Sequence, residues 1–149
     1  MSARSSKAKG RRLQNWVRDK LRLAFITNWT MIPKLEEDDI KSQTMGMTGE
    51  DIILSPAARK IIPYSFECKN VERLNIWSAI EQTETNCPEE CTPITVIKRN
   101  HSKTYVIMEF NSWIKNIGGN IEPISASNKR SEHSKDNRKS YSSFRNTRK

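Results

Sequence analysis

Apolar residues Leu13, Trp16, Val17, Leu21, Ala24 and Phe25 recur at helical spacing between Gly10 and Phe25, which predicts an amphipathic helix with Trp16 on its buried face. Arg11, Asn15, Arg18 and Arg22 fall on its far side, within about 40° of one line at roughly 100° per residue. Further along, Tyr64 to Asn70 alternates. Read as a strand, it puts Phe66 and Cys68 on one face and Glu67 and Lys69 on the other, giving a core face and a chemical face. From Glu72 to Asn86 the helical period returns through Leu74, Ile76, Trp77, Ala79 and Ile80, so a second long helix is expected, with Trp77 buried. Two β-rich runs follow, Pro93 to Lys98 and Thr104 to Phe110, separated by the polar turn Arg99 to Lys103, and read as a hairpin. Asn111 can cap a short helix that carries Trp113, Ile114 and Ile117 on its apolar side and stops at Gly118-Gly119.

Turn chemistry fills the gaps between these elements. Residues 26–39, with Pro33 and the cluster Glu36 to Asp39, read as a linker before a strand, and Trp29 in that linker is free to pack or to stack on a base. Met45 to Gly49, with two glycines, reads as a tight hairpin or flexible loop, and the next strand starts near Asp51. Ser55 followed by Pro56 is a helix start, so a single helical turn interrupts the sheet. After Glu122 the chain offers Ser, Asn, Lys and Arg with almost nothing apolar, which predicts disorder from about Pro123. The expected organisation is a flexible basic N-terminus over 1–8, one folded domain over 9–122 and a disordered basic tail over 123–149. Its fold class is an α/β sandwich with a mixed sheet.

Charge sharpens this division. Residues 1–22 carry eight Lys and Arg against Asp19 alone, and residues 128–149 carry eight against Glu132 and Asp136. Because the whole chain is +9, the part between them is net acidic. An acidic centre between basic ends fits a body that gathers carboxylates and attaches to a polyanion through its periphery, so nucleic acid is the leading partner. No apolar run approaches the roughly 20 residues of a spanning helix, and no apolar stretch follows the N-terminal charges as in a secretory signal. Three cysteines point to a reducing compartment rather than a disulfide framework, hence a cytoplasmic protein. Cys87, Cys91 and His101 supply three potential zinc ligands, and the fourth is missing because His133 lies in the polar tail.

The chemical face has a specific use. Phosphodiester cleavage needs an activated water, a means of absorbing charge on the pentacovalent phosphate and stabilisation of the leaving oxygen, all of which Mg²⁺ can supply. Mg²⁺ takes oxygen ligands and keeps several waters, so Asp51, Glu67 and the backbone carbonyl of Cys68 suffice as protein ligands, with Mn²⁺ the alternative ion. Lys69 lies on the Glu67 side of the strand, about 7 Å further along, where it can orient the attacking water. In isolation an acid and a lysine at this spacing more often form a surface ion pair.

Asp51 followed by Glu67-Cys68-Lys69, set in helix, three strands, helix and strand, resembles the PD-(D/E)XK nuclease superfamily over about residues 7 to 110. Within it, Lys9-Gly10 opening the first helix, the Met-Gly-rich loop before Asp51 and Glu-Cys-Lys closing the strand are most similar to archaeal-type Holliday junction resolvases and small phage-encoded relatives. The resemblance implies a restriction-endonuclease-like αβββαβ core and a Mg²⁺-dependent DNA endonuclease, active as a homodimer on branched DNA in a bacterial or phage-infected cell. It makes Asp51, Glu67, Lys69 and Gln82 the catalytic set. Lys9, Arg11, Arg18, Arg22 and Thr44 are the corresponding candidate DNA contacts. Two departures stand out: Glu50 replaces the proline of the superfamily's name, and Gln14 occupies the likely position of a glutamate that such resolvases carry on the first helix. A restriction-type or nicking nuclease on duplex DNA, and a non-catalytic nucleic-acid-binding protein, remain the alternatives.

Overall fold

The computed structural model describes residues 3–27 and 33–118; the expected tail over 123–149, Trp29 and Gly119 lie outside them. Helix α1 (Ala3–Phe25) begins well before Gly10, and no proline interrupts the sequence between Ala3 and Phe25. A 3-10 turn (Glu37–Asp39) feeds β1 (Ile40–Ser42), which pairs antiparallel with β2 (Ile52–Leu54), placing Ile40 opposite Leu54. The loop between them holds Gly46 and Gly49 at φ of +89° and +106°, backbone that residues with a Cβ rarely adopt. Ser55 then caps α2 (Pro56–Ile61), its hydroxyl accepting the Ala58 amide at 3.1 Å, with Pro56 in the first helical position as its sequence implies.

The central sheet consists of β3 (Tyr64–Asn70), β4 (Thr92–Lys98) and β5 (Tyr105–Ile107), in that order, with β5 at the edge. Strand β4 runs parallel to β3, Glu67 opposite Thr95, because α3 (Ile76–Asn86) carries the chain across; β5 then returns antiparallel as the hairpin pattern predicts. The two-stranded ribbon joins this sheet at one place. Asp51 N donates to the Phe66 carbonyl at 2.8 Å, and Cys68 N donates to Asp51 Oδ2 at 2.6 Å.

Each face of the sheet is covered. Phe66, Cys68, Ile94 and Val96 pack with Leu13 and Val17 of α1 and with Ile40, Ile52 and Leu54 of the ribbon, forming the core. On the other face α3 lays Ala79 and Thr83 against the strands, and the buried hydroxyls of Thr83 and Thr95 hydrogen-bond at 2.7 Å. The molecule is therefore an α/β fold with helices flanking a mixed sheet, as its element order predicts. Among the described residues no helix is long and apolar enough to cross a membrane.

Two expectations need correction. Trp16, Trp77 and Trp113 are not core residues: they are 46 %, 76 % and 48 % exposed. Periodicity identifies an apolar stripe but not how far the partner surface reaches around it, and here small or narrow residues make the close contact: Leu13 and Val17 on α1, Ala79 on α3. The cap of α4 (Phe110–Gly118) is Glu109, not Asn111. Its carboxylate accepts the amides of Asn111 at 2.9 Å and Ser112 at 2.8 Å.

Those amide bonds, Asn111's first, hold the Glu109 carboxyl below the usual glutamate range. A carboxyl lowered in the folded state contributes stability that is complete above its unfolded value and is lost as pH falls through the folded one. Replacing Glu109 with Gln should therefore speed amide exchange in α4 at neutral pH, and the gap to wild type should close on acidification below about pH 4. Hydrogen exchange followed by mass spectrometry across that range checks this.

Candidate active site

Strand β3 supplies the centre of the site because its alternation turns Glu67 toward α3 while Phe66 and Cys68 enter the core. Glu67 is only 4 % exposed, an unusual position for a carboxylate unless donors meet it. They do. Oε1 accepts from Lys69 Nζ at 2.6 Å, and Oε2 accepts from Asn86 Nδ2 at 3.3 Å. Lys69 Nζ also donates to Gln82 Oε1 at 2.8 Å, so two of its three N–H donors are engaged and one is left for an incoming oxygen. Gln82 and Asn86 lie one turn apart on α3, whose seating is set by the Thr83–Thr95 bond and by Asn75, which caps the helix through Ser78 N.

Asp51 approaches from the ribbon. Its Oδ2 is held by the Cys68 amide, and its Oδ1 accepts from Gln14 Nε2 of α1. An extended residue presents its N–H and C=O to the same side, so the Cys68 carbonyl faces the edge that Asp51 occupies. Burial pushes the Asp51 carboxyl up; the Cys68 amide opposes this, and the negative charge of Glu67 raises it further. The positive charge of Lys69 also acts on Asp51, in the lowering direction. Burial, followed by the charge of Asp51 and Glu67, also drives the Cys68 thiol well above its ordinary value, so it stays neutral and acts as a core residue.

One polar atom here is unmatched. Gln14 is 6 % exposed, and its Oε1 is buried without a hydrogen-bond partner. A buried amide oxygen without a partner costs about 1–3 kcal/mol, and a cation beside Asp51 would relieve it. Together with the carboxylates of Asp51 and Glu67 and the Cys68 carbonyl, this gives the all-oxygen donor set that Mg²⁺ or Mn²⁺ takes. When bound, such an ion would neutralise charge on a phosphate and lower the pKa of a water. Among the described residues no group of three His, Cys, Asp or Glu is placed to hold a metal, the Cys87, Cys91 and His101 combination included. An amide oxygen and a backbone carbonyl would have to complete what two carboxylates begin.

The expected cationic residues have diverse surroundings. Arg22 donates to the carbonyls of Ile40 at 2.9 Å and Glu37 at 2.7 Å, pinning α1 to the start of the ribbon. Arg18 bonds Asp19 at 2.8 Å and Asn15 at 3.2 Å. Lys9 donates to Asn100 at 3.0 Å, and Thr44 is exposed in the glycine loop. Arg11 is exposed on the outer face. Asn86 escaped the sequence reading, although its four-residue spacing from Gln82 was available as a signal.

A comparison with protein families finds a match over residues 5–147 to the family described as Phage putative PDDEXK endonuclease. The chain belongs to this family. No curated protein and no solved structure matches. In this chain Gln14 from α1 bonds Asp51, and Gln82 and Asn86 from α3 bond Lys69 and Glu67 of the Glu67-Cys68-Lys69 run.

Replacing Gln14 with Glu removes the Nε2 donor and adds a carboxylate beside Asp51. Metal-free protein should then lose about 1–3 kcal/mol of stability, and Mg²⁺ should raise its melting temperature more than that of wild type. Thermal melts with and without Mg²⁺ read both effects.

Proposed function

We propose that the protein is a divalent-cation-dependent endodeoxyribonuclease that hydrolyses phosphodiester bonds, with Mg²⁺ as the preferred ion and Mn²⁺ as a substitute. What supports this reading is that the Asp51 carboxylate bonds the Cys68 amide of the strand that carries the Glu67–Lys69 ion pair, with the Gln14 oxygen buried and unpartnered. Water oxygen forms the new P–O bond as the bond to the leaving oxygen breaks. Lys69 positions that water or a non-bridging phosphate oxygen with its remaining N–H, while Gln82 and Glu67 hold the ammonium in place. Asp51 and Glu67 bind the ion. Family membership makes a nuclease the first expectation, and branched DNA, as for Holliday junction resolvases, is the substrate class that the sequence resemblance favours.

A homodimer is part of this reading. Phe110, Trp113 and Ile117 share one face of α4, where the rings of Phe110 and Trp113 lie 5.7 Å apart, and all three are exposed. Strand β5 adds exposed Tyr105 and Val106 at the sheet edge, and Trp77 lines a cleft with Ile107. Exposed apolar surface of this kind, on an edge strand and an adjacent helix, is where a second copy would pair.

The decisive assay compares cleavage of a labelled four-way junction and of linear duplex, with Mg²⁺ and with EDTA, by wild type and Lys69→Ala. Wild type should cut the junction only with Mg²⁺, and the variant should cut at least about 100-fold more slowly. Removing Lys69 leaves the buried Glu67 charge without its ion-pair partner, a loss of about 3 kcal/mol, so a thermal melt must show the variant folded at the assay temperature. If wild type binds both substrates and cuts neither, the protein is a binding module; if it cuts the duplex equally well, the resolvase-like specificity falls.

A further inference from the structure

A second cleft opens at the end of β3 that carries Asn70. It has a volume of about 530 Å³ and is lined by Arg12, Trp16, Asn70, Lys98, Lys103 and Thr104. Three of these side chains are cationic and none is acidic. Lys98 Nζ is tied to the Ser102 carbonyl at 2.6 Å, which stiffens the turn carrying Lys103. Arg12 and Lys103 form no ion pair among the described residues. Trp16, one helical turn after Arg12, is 46 % exposed, and Lys20 sits 5.6 Å from its ring centroid.

The position of this cleft matters as much as its lining. Asn70 follows Lys69 directly in β3, but alternation turns its side chain to the α1 face, where it donates to the Lys9 carbonyl at 3.1 Å and fixes the wall shared by strand and helix. Arg12 is on the same helix as Gln14, the residue that touches Asp51. The cleft therefore lies around the end of β3 from Lys69, on the face that α1 covers.

The geometry points to a subsite for an unpaired nucleotide, with its base stacked on Trp16 and its phosphate held by Arg12 and Lys103. This deepens the nuclease reading and rests on it for the identity of the strand. Phosphate charge accounts for the arginine and the lysines, but not for a half-exposed indole among them. An aromatic ring in a basic groove is useful to a nucleic-acid-binding protein as a stacking platform, and bases inside a duplex already have both faces stacked. The volume suits a small organic ligand, for which clefts of about 300–1,000 Å³ are usual. Together these features select DNA that presents single-stranded character, such as a flap, a gap or an opened branch point.

The test is binding in EDTA, which separates it from catalysis. Fluorescence anisotropy of a labelled blunt duplex, and of the same duplex carrying a single-stranded arm, should show wild type preferring the armed DNA at least about fivefold. Trp16→Ala should abolish that preference without weakening blunt-duplex binding, and Trp16→Phe should restore most of it. Lys103→Ala should weaken the armed DNA more than the blunt duplex and flatten the salt dependence of its binding. No preference in wild type, or equal losses on both substrates with Trp16→Ala, overturns the subsite. Wild type that cuts DNA without preferring the arm sinks the subsite alone; wild type that prefers the arm and never cuts sinks the nuclease reading and leaves the subsite standing.

Discussion

The structure depends on how Asp51 is tied to β3. Its backbone amide donates to the Phe66 carbonyl at 2.8 Å and its side chain accepts the Cys68 amide at 2.6 Å, so one residue joins the β1–β2 ribbon to the central sheet. This join continues main-chain pairing for a single rung and then replaces the next rung with a carboxylate. The ladder stops there, and an acidic group stands where another strand's backbone would otherwise be. Ending the pairing there is costly, since groups on β3 that would pair with backbone must find other partners; here Asp51 is that partner, and Gln14 of α1 donates to it in turn.

Around that join the two faces of β3 have separate tasks. Phe66 and Cys68 anchor the strand in a core shared with α1 and the ribbon, while Glu67 and Lys69 meet the polar side of α3. The buried Thr83–Thr95 bond fixes α3 on β4, and so sets where Gln82 and Asn86 can reach. The geometry of this pair is thereby inherited from packing: Asn86 donates to the acid and Gln82 accepts from the lysine, both on a helix whose own position is fixed by a buried hydroxyl pair. Surface chemistry follows the same division. Helix α1 contributes Leu13 and Val17 to the core and Gln14 to Asp51, and its Arg12 and Trp16 line the neighbouring cleft.

Much of this was legible in the sequence, for reasons that differ by element. Strand β3 was visible in full because alternation over Tyr64 to Asn70 sorts side chains by chemistry as well as by hydrophobicity. Helix α2 was visible through Ser55-Pro56, a start signal that acts locally. The tryptophans were misread because apolar periodicity cannot report the extent of the surface a helix packs against. Gln14 was expected to stand in for a family glutamate, but its burial and its unmatched oxygen depend on the ribbon folding back over α1, a long-range contact that no local pattern encodes. Asn86 went unnoticed because an asparagine at a helix end ordinarily reads as a terminator. The cap on α4 shifted to Glu109 because its two carboxylate oxygens can serve two amides at once.

The central claim is that Asp51 and Glu67 form one cation site completed by neutral oxygens. Isothermal titration of the metal-free protein with Mn²⁺ tests it most directly, using wild type and Asp51→Asn, a change that keeps an oxygen for the Cys68 amide while removing the charge. The account predicts saturable binding in wild type that the substitution abolishes or weakens by more than tenfold. Equal binding by both proteins, or none by wild type, would contradict it.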